Sequence, residues 1–204
     1  MCQLLGMNCN APTDVTFSFR GFAQRGGQTD HHADGWGIAF FEGDAAGGDD
    51  KGLRHFVDHQ PACSSPVAEL ISRYPIKSRN VIAHIRKATQ GRVALENCHP
   101  FVRELAAQIA PHGTFNFLLS NGQALWAHAS TKAQSQGLYY VERKHPFAHA
   151  TLSDADVSVD FADQTSPSDK VAVVVSAPLT TNERWTAFAP GALLVFVGGA
   201  LVAA

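Results

Sequence analysis

Five short apolar segments dominate the pattern along the chain: Trp36–Phe41, Val81–Ile85, Phe115–Leu119, Ala124–His128 and Val171–Val175. Several are rich in β-branched or aromatic residues, and at this length they predict strands. Two of them are joined by Ser120-Asn121-Gly122-Gln123, and Asn-Gly between apolar runs predicts a hairpin turn. The run from Gly191 to Ala204 is apolar throughout but shorter than the roughly 20 residues of a spanning helix. Gly198-Gly199 inside it predicts a turn between two buried strands. Helical pattern is weaker. Ser65–Ser72 opens with serine and proline, as a helix start does, Thr13–Ala23 predicts a helix under the first strand, and Leu105–Ala110 the end of a third. Glu42–Lys51 predicts an exposed loop, and Asp154–Lys170 a turn-rich stretch around a short strand at Val157–Phe161. With neither a linker nor an internal repeat, residues 1–204 predict one α+β domain of layered antiparallel sheets.

Composition narrows the function classes. Hydrophobic residues are 45% and charged residues 17%, a balance that folds and lacks the signature of disorder. Lysine plus arginine number 16 against 18 acidic residues with no basic cluster, so nucleic acid is not an expected partner, and the short C-terminal run is expected to be buried sheet and no membrane anchor. Cys2, Cys9, Cys63 and Cys98 show no Cys-x-x-Cys spacing, which predicts reduced thiols and a cytoplasmic protein. The N-terminus shows no basic-then-apolar leader.

Cys2 carries the main chemical signal. Directly behind Met1, it becomes the first residue once one methionine is removed, and then holds a thiol and an α-amine of pKa about 7.7–8.0 on one Cα. Nucleophile and base thus sit in a single residue. By position alone it also reads as a small apolar residue of a first strand. Arg86, at the end of the apolar run Val81–Ile85, offers a planar fork for a carboxylate, or else is a surface arginine at a strand end. Thr89 is a candidate hydroxyl donor beside it or a turn residue before Gln90-Gly91, and His99 before Pro100 is a pocket residue or a turn organiser. His31 and His32 suggest a metal, but the other histidines lack paired-ligand spacing, and no metal is expected. Gly35 and Gly37 predict a strand passing close beneath the Cys2 end, with Trp36 as core or pocket wall.

The stretches Met1-Cys-Gln-Leu-Leu-Gly-Met7, Arg25-Gly-Gly27, His31-His-Ala-Asp-Gly-Trp-Gly-Ile38, His84-Ile-Arg-Lys-Ala-Thr89, Glu96-Asn-Cys-His-Pro-Phe101 and Ser176-Ala-Pro-Leu-Thr180 with Asn182-Glu183 occur in this order. Together they resemble the class II glutamine amidotransferases, the N-terminal-nucleophile group, and in particular its stand-alone bacterial members. The resemblance implies a four-layer αββα sandwich of two antiparallel sheets. It implies that Cys2 is the catalytic nucleophile and that Arg86, Thr89 and His99 bind substrate. It further implies a glutamine or other γ-glutamyl substrate, no cofactor, and release of ammonia or its delivery to a separate acceptor subunit.

One block of the family pattern is missing. An Asn-Gly pair for the oxyanion and an aspartate for the substrate α-amine belong after the His-Pro-Phe stretch, but Phe101-Val-Arg-Glu-Leu105 passes almost at once to Gly113–Ser120. An internal segment near residues 105–112 is therefore absent from the sequence, or the protein lacks the block. Asn121-Gly122 is a poor substitute, because its flanks read as a hairpin. Other readings are a hydrolase of another γ-glutamyl amide and a catalytically weak binding module of the same fold. A Cys98–His99 pair fares poorly, since adjacent residues on an extended chain point to opposite faces.

Overall fold

The computed structural model describes residues 2–41, 52–88, 116–130, 137–163 and 165–203. Its centre is β1 (Gln3–Asp14), a strand apolar at odd and even positions alike, as suits one covered on both faces. Around it forms a seven-stranded antiparallel sheet from β2 (Trp36–Phe41), β3 (Leu53–Asp58), β4 (Lys77–Ile85), β7 (Tyr139–Lys144), β10 (Lys170–Val175) and β11 (Thr186–Ala187). The order is β11-β7-β10-β1-β4-β2-β3. A second sheet, from β5 (Phe117–Ser120), β6 (Ala124–His128), β12 (Leu193–Val197) and β13 (Ala200–Ala203), runs in the order β13-β12-β6-β5. The pair β8 (His149–Thr151) and β9 (Ser158–Asp160) stands apart.

Side-chain alternation along β1 divides the core. Leu5, Met7 and Cys9 face the helices α1 (Thr16–Gln24) and α2 (Pro66–Arg73), where they pack with Phe19, Phe22 and Ile71. Leu4 and Gly6 face the second sheet; a Cβ on Gly6 would stand 3.0 Å from both Leu118 and Leu125. Helix pair, large sheet and small sheet therefore stack in that order, three layers of the αββα sandwich. The fourth layer is not among the described residues.

Of the three predicted helices, the two among the described residues are present, one with shifted bounds. Ser65 caps α2, its hydroxyl accepting from Ala68 N with Pro66 in the first turn. The expected helix from Thr13 begins at Thr16, because β1 resumes pairing after a bulge at Thr13↔Ser78 and Asp14↔Lys77. The Asp14 carboxylate then accepts from Thr16 N at 2.7 Å and starts the helix. The expected loop Glu42–Lys51 and helix end Leu105–Ala110 lie outside the described residues.

The two predicted turns work differently. Gly198 and Gly199 have φ of 56° and 77° between the paired residues Val197 and Ala200, the geometry only glycine adopts freely. At Asn121-Gly122 only the glycine has positive φ; the asparagine acts through Oδ1, which accepts from Gln123 N and Ala124 N. Both turns are tied to buried Asn8 on β1. Its Nδ2 donates to Asn80 Oδ1 and Gln123 O, and its Oδ1 accepts from Gly199 N.

A second polar lock closes the sheet's other side. Arg143 on β7 grips Glu183 with two bonds of 2.7 Å, and Thr180 Oγ1 donates to the same carboxylate. Burial works against ionisation of Glu183, but the Arg143 hydrogen bonds and charge and the Thr180 hydroxyl outweigh it, holding the pKa below its ordinary 4.5. A carboxyl whose folded pKa is depressed stabilises fully above its unfolded value and loses that contribution as pH falls through the folded one. Glu183→Gln is therefore expected to cost about 3 kcal/mol at pH 7. Thermal melts at pH 7 and pH 3 check this: the gap between wild type and variant narrows at the lower pH.

Candidate active site

Strands β1 and β4 run antiparallel with Gln3 opposite Ile85, so one further step of the register brings Cys2 against Arg86. Strand alternation puts both on the face that looks toward the second sheet, the face carrying Leu4 and His84, which pair directly. Cys2 is partly exposed, whereas Arg86 is buried at 6% relative exposure. A reachable thiol set by the register against a buried arginine suits a small anionic substrate. Cys2 Sγ lies 3.8 Å from the Lys87 carbonyl oxygen.

The loop ahead of β2 braces this corner. Arg86 N donates to Gly35 O at 2.7 Å, Asp34 N to Arg86 O at 3.2 Å, and Ala88 N to Asp34 Oδ2 at 2.7 Å. Gly35 holds φ of 112°, a conformation L side chains rarely adopt, which explains the glycine there. Trp36 is fully buried core, packed on Phe19.

On the opposite flank, β10 leaves β1 at Ser176. Leu4 N donates to Ser176 Oγ at 2.7 Å, and Ser176 N donates to Leu4 O at 3.1 Å. Beyond this point the Ala177 and Pro178 carbonyls accept from Arg25, whose Nε also donates to Asp154 Oδ2 at 2.9 Å. The edge of β1 at Cys2 is thereby left free of its β10 ladder.

Behind the strand, Gln3 Nε2 donates to Asp30 Oδ2, and the ring nitrogens of His31 and His32 stand within 3 Å of the same carboxylate. Burial pushes Asp30 upward, but the His31 backbone N–H, the charges of His32 and His31 and the Gln3 bond together hold it below its ordinary value. These histidines serve an acidic partner.

Of the predicted site residues, Cys2 and Arg86 come together; Thr89 and His99 lie outside the described residues, as does Cys98. Among the other thiols, Cys9 is sunk in the core and pushed up to about 12, chiefly by burial. Such a thiol is inert at neutral pH. Asn121-Gly122 sits by Asn8, six residues along β1 from Cys2, a distance of about 20 Å in a strand. It is a turn held by Asn80 and no part of this site.

Residues 1–108 and 102–204 both match the family described as class II glutamine amidotransferases. A Haemophilus influenzae protein named "Putative glutamine amidotransferase" is 41% identical over 266 aligned residues, covering 100% of this chain and 86% of that protein.

The chain belongs to the class II glutamine amidotransferases.

Within that family, the Escherichia coli protein named "Putative glutamine amidotransferase YafJ" is 38% identical, with 98% of each chain covered. The crystal structure of a predicted glutamine amidotransferase from Pseudomonas aeruginosa PA01 aligns over 100% of both chains with a TM-score of 0.65 and 31% identity. A class-II domain protein from Silicibacter pomeroyi, at 15% identity and a TM-score of 0.54, shares the fold. Sequence reasoning overlooked what braces the amidotransferase corner. Asp34 stood in view only as part of a glycine-rich strand entry, and Ser176 and Arg25 only as pieces of a resemblance. Their roles are made by contacts to residues distant in sequence.

Proposed function

We propose that this amidotransferase hydrolyses the side-chain amide of glutamine with Cys2 as nucleophile, after Met1 is removed. The observation that carries the reading is the meeting of Cys2 and Arg86 at the ends of β1 and β4, on the face between the sheets. Arg86 grips the substrate α-carboxylate with its bidentate fork. Cys2 Sγ attacks the amide carbon, its proton passing through the α-amine to the departing nitrogen, so ammonia leaves and a γ-glutamyl thioester remains. Water then adds to the thioester, releasing glutamate and restoring the thiol. Thr89 and His99 bind substrate in this reading, no cofactor takes part, and a cytoplasmic setting keeps the thiol reduced. The ammonia goes to solvent or to a separate acceptor subunit.

The oxyanion needs a donor, and the family's Asn-Gly block finds no counterpart here. Losing such a donor costs on the order of 10²–10³ in rate. The two family matches meet at residues 102–108, and the Haemophilus alignment spans 266 residues against 204 in this chain. Both fit an internal segment, near residues 105–112, that the relatives carry and this sequence lacks.

Intact mass before and after a diazoketone analogue of glutamine tests the proposal. Expected are loss of Met1, one adduct mapping to Cys2, protection by L-glutamine, and an adduct formed at least about tenfold more slowly in Arg86→Ala, which lacks the carboxylate grip. Met1 retained with no adduct would overturn it.

A further inference from the structure

One peptide unit separates Cys2 from a carboxylate. The Lys87 carbonyl oxygen faces Cys2 Sγ at 3.8 Å, and the N–H of the same peptide, on Ala88, donates to Asp34 Oδ2 at 2.7 Å. The carboxylate is itself held, because the Asp34–Gly35 backbone exchanges bonds with Arg86 at 3.2 Å and 2.7 Å. A carboxylate accepting from an amide N–H shifts electron density toward the carbonyl end of that amide, which then accepts more strongly. We propose that Asp34 is a positioning residue for Cys2: through the Lys87–Ala88 peptide it fixes and strengthens the carbonyl that receives the sulfur-borne hydrogen. The proposal deepens the assignment of Cys2 as nucleophile and rests on it.

The consequence is a thiol aimed at a fixed acceptor. A hydrogen bond donated by S–H, and a negative charge one peptide away, both favour the thiol over the thiolate. Among the described residues, the other charged or titratable groups at this corner are Arg86 and Lys87 beyond β4, His84 within it, and Asp30 with His31 and His32 behind Gln3. The cysteine's own α-amine adds to them after Met1 is lost. On the β10 side, the Ser176 hydroxyl accepts from Leu4 N.

The pH dependence of Cys2 alkylation by iodoacetamide, mapped by peptide mass, separates this role from mere loop fastening. Asp34→Asn keeps the size and an acceptor oxygen but removes the charge, and Asp34→Ser is a smaller uncharged second variant. With melting temperatures recorded in parallel, the alkylation midpoint in the folded Asn variant should fall by about half to one pH unit, so that Cys2 reacts about three- to tenfold faster well below the midpoint. Serine should shift it the same way. Unchanged midpoints in both variants, or a rate raised by one factor at every pH, would overturn the proposal. The readout uses no glutamine. Failure of the nucleophile assignment is seen separately, as glutamine hydrolysis surviving in Cys2→Ala.

Discussion

Cys2→Ala is expected to lower glutamine hydrolysis at least about 10³-fold, to the floor of an ammonia-release assay, with no loss of thermal stability. The side chain is partly exposed and meets the Lys87 carbonyl at a long 3.8 Å, so its removal leaves little cavity. The loss would therefore be chemical. Cys2→Ser keeps the α-amine and a hydroxyl in place of the thiol, and should retain only a trace of turnover because the hydroxyl is far less nucleophilic. Buried Cys9 and exposed Cys63 provide controls, since alanine at either should leave turnover within about twofold if the N-terminal thiol alone forms the thioester. Activity persisting above a tenth of wild type in Cys2→Ala would exclude the thioester route.

The second large effect falls on the fold. Arg25→Met should destabilise by about 3–5 kcal/mol, because it strands the Asp154 carboxylate and two backbone carbonyls. The Arg25 and Asp154 side chains are only 7% and 15% exposed and stand 2.8 Å apart, and the same guanidinium holds Ala177 O and Pro178 O. Urea unfolding of Arg25→Met, Asp154→Leu and the double variant measures the pair. The double variant should recover part of the loss, since two apolar groups leave no stranded charge. Glutamine hydrolysis offers a second readout. Where β10 parts from β1 decides how open the strand edge beside Cys2 is, so a folded Arg25→Met should also raise KM. Additive energies in the double variant would mean that the pair contributes no coupling.

Much of the fold was legible because it follows from local pattern. Short β-branched and aromatic runs marked the inner strands, Ser65-Pro66 marked α2, and Gly198-Gly199 marked a turn whose backbone only glycine adopts freely. Strands β3 and β7 were not legible. Each interrupts its apolar positions with charged ones, Arg54 in β3 and Glu142 and Arg143 in β7, and is held by its pairing partner more than by burial of its own side chains. The end of β1 was also hidden. Its last residues pair only after a bulge, and nothing local distinguishes them from a helix start.

The candidate site divides in the same way. The sequence by itself determined the chemical candidates, a thiol behind the initiator and an arginine after an apolar run, because nucleophilicity and carboxylate-binding geometry are properties of single side chains. It also determined the family, through the order of its short motifs. Only the tertiary structure decided that Cys2 and Arg86 meet, since their adjacency depends on the β1–β4 register across more than eighty residues of chain. It likewise decided that Asp34 reaches the peptide beside the thiol, and that Ser176 and Arg25 turn β10 away from it. Those contacts are long in sequence, and what selects them is packing the apolar faces of two sheets while leaving no buried polar group stranded.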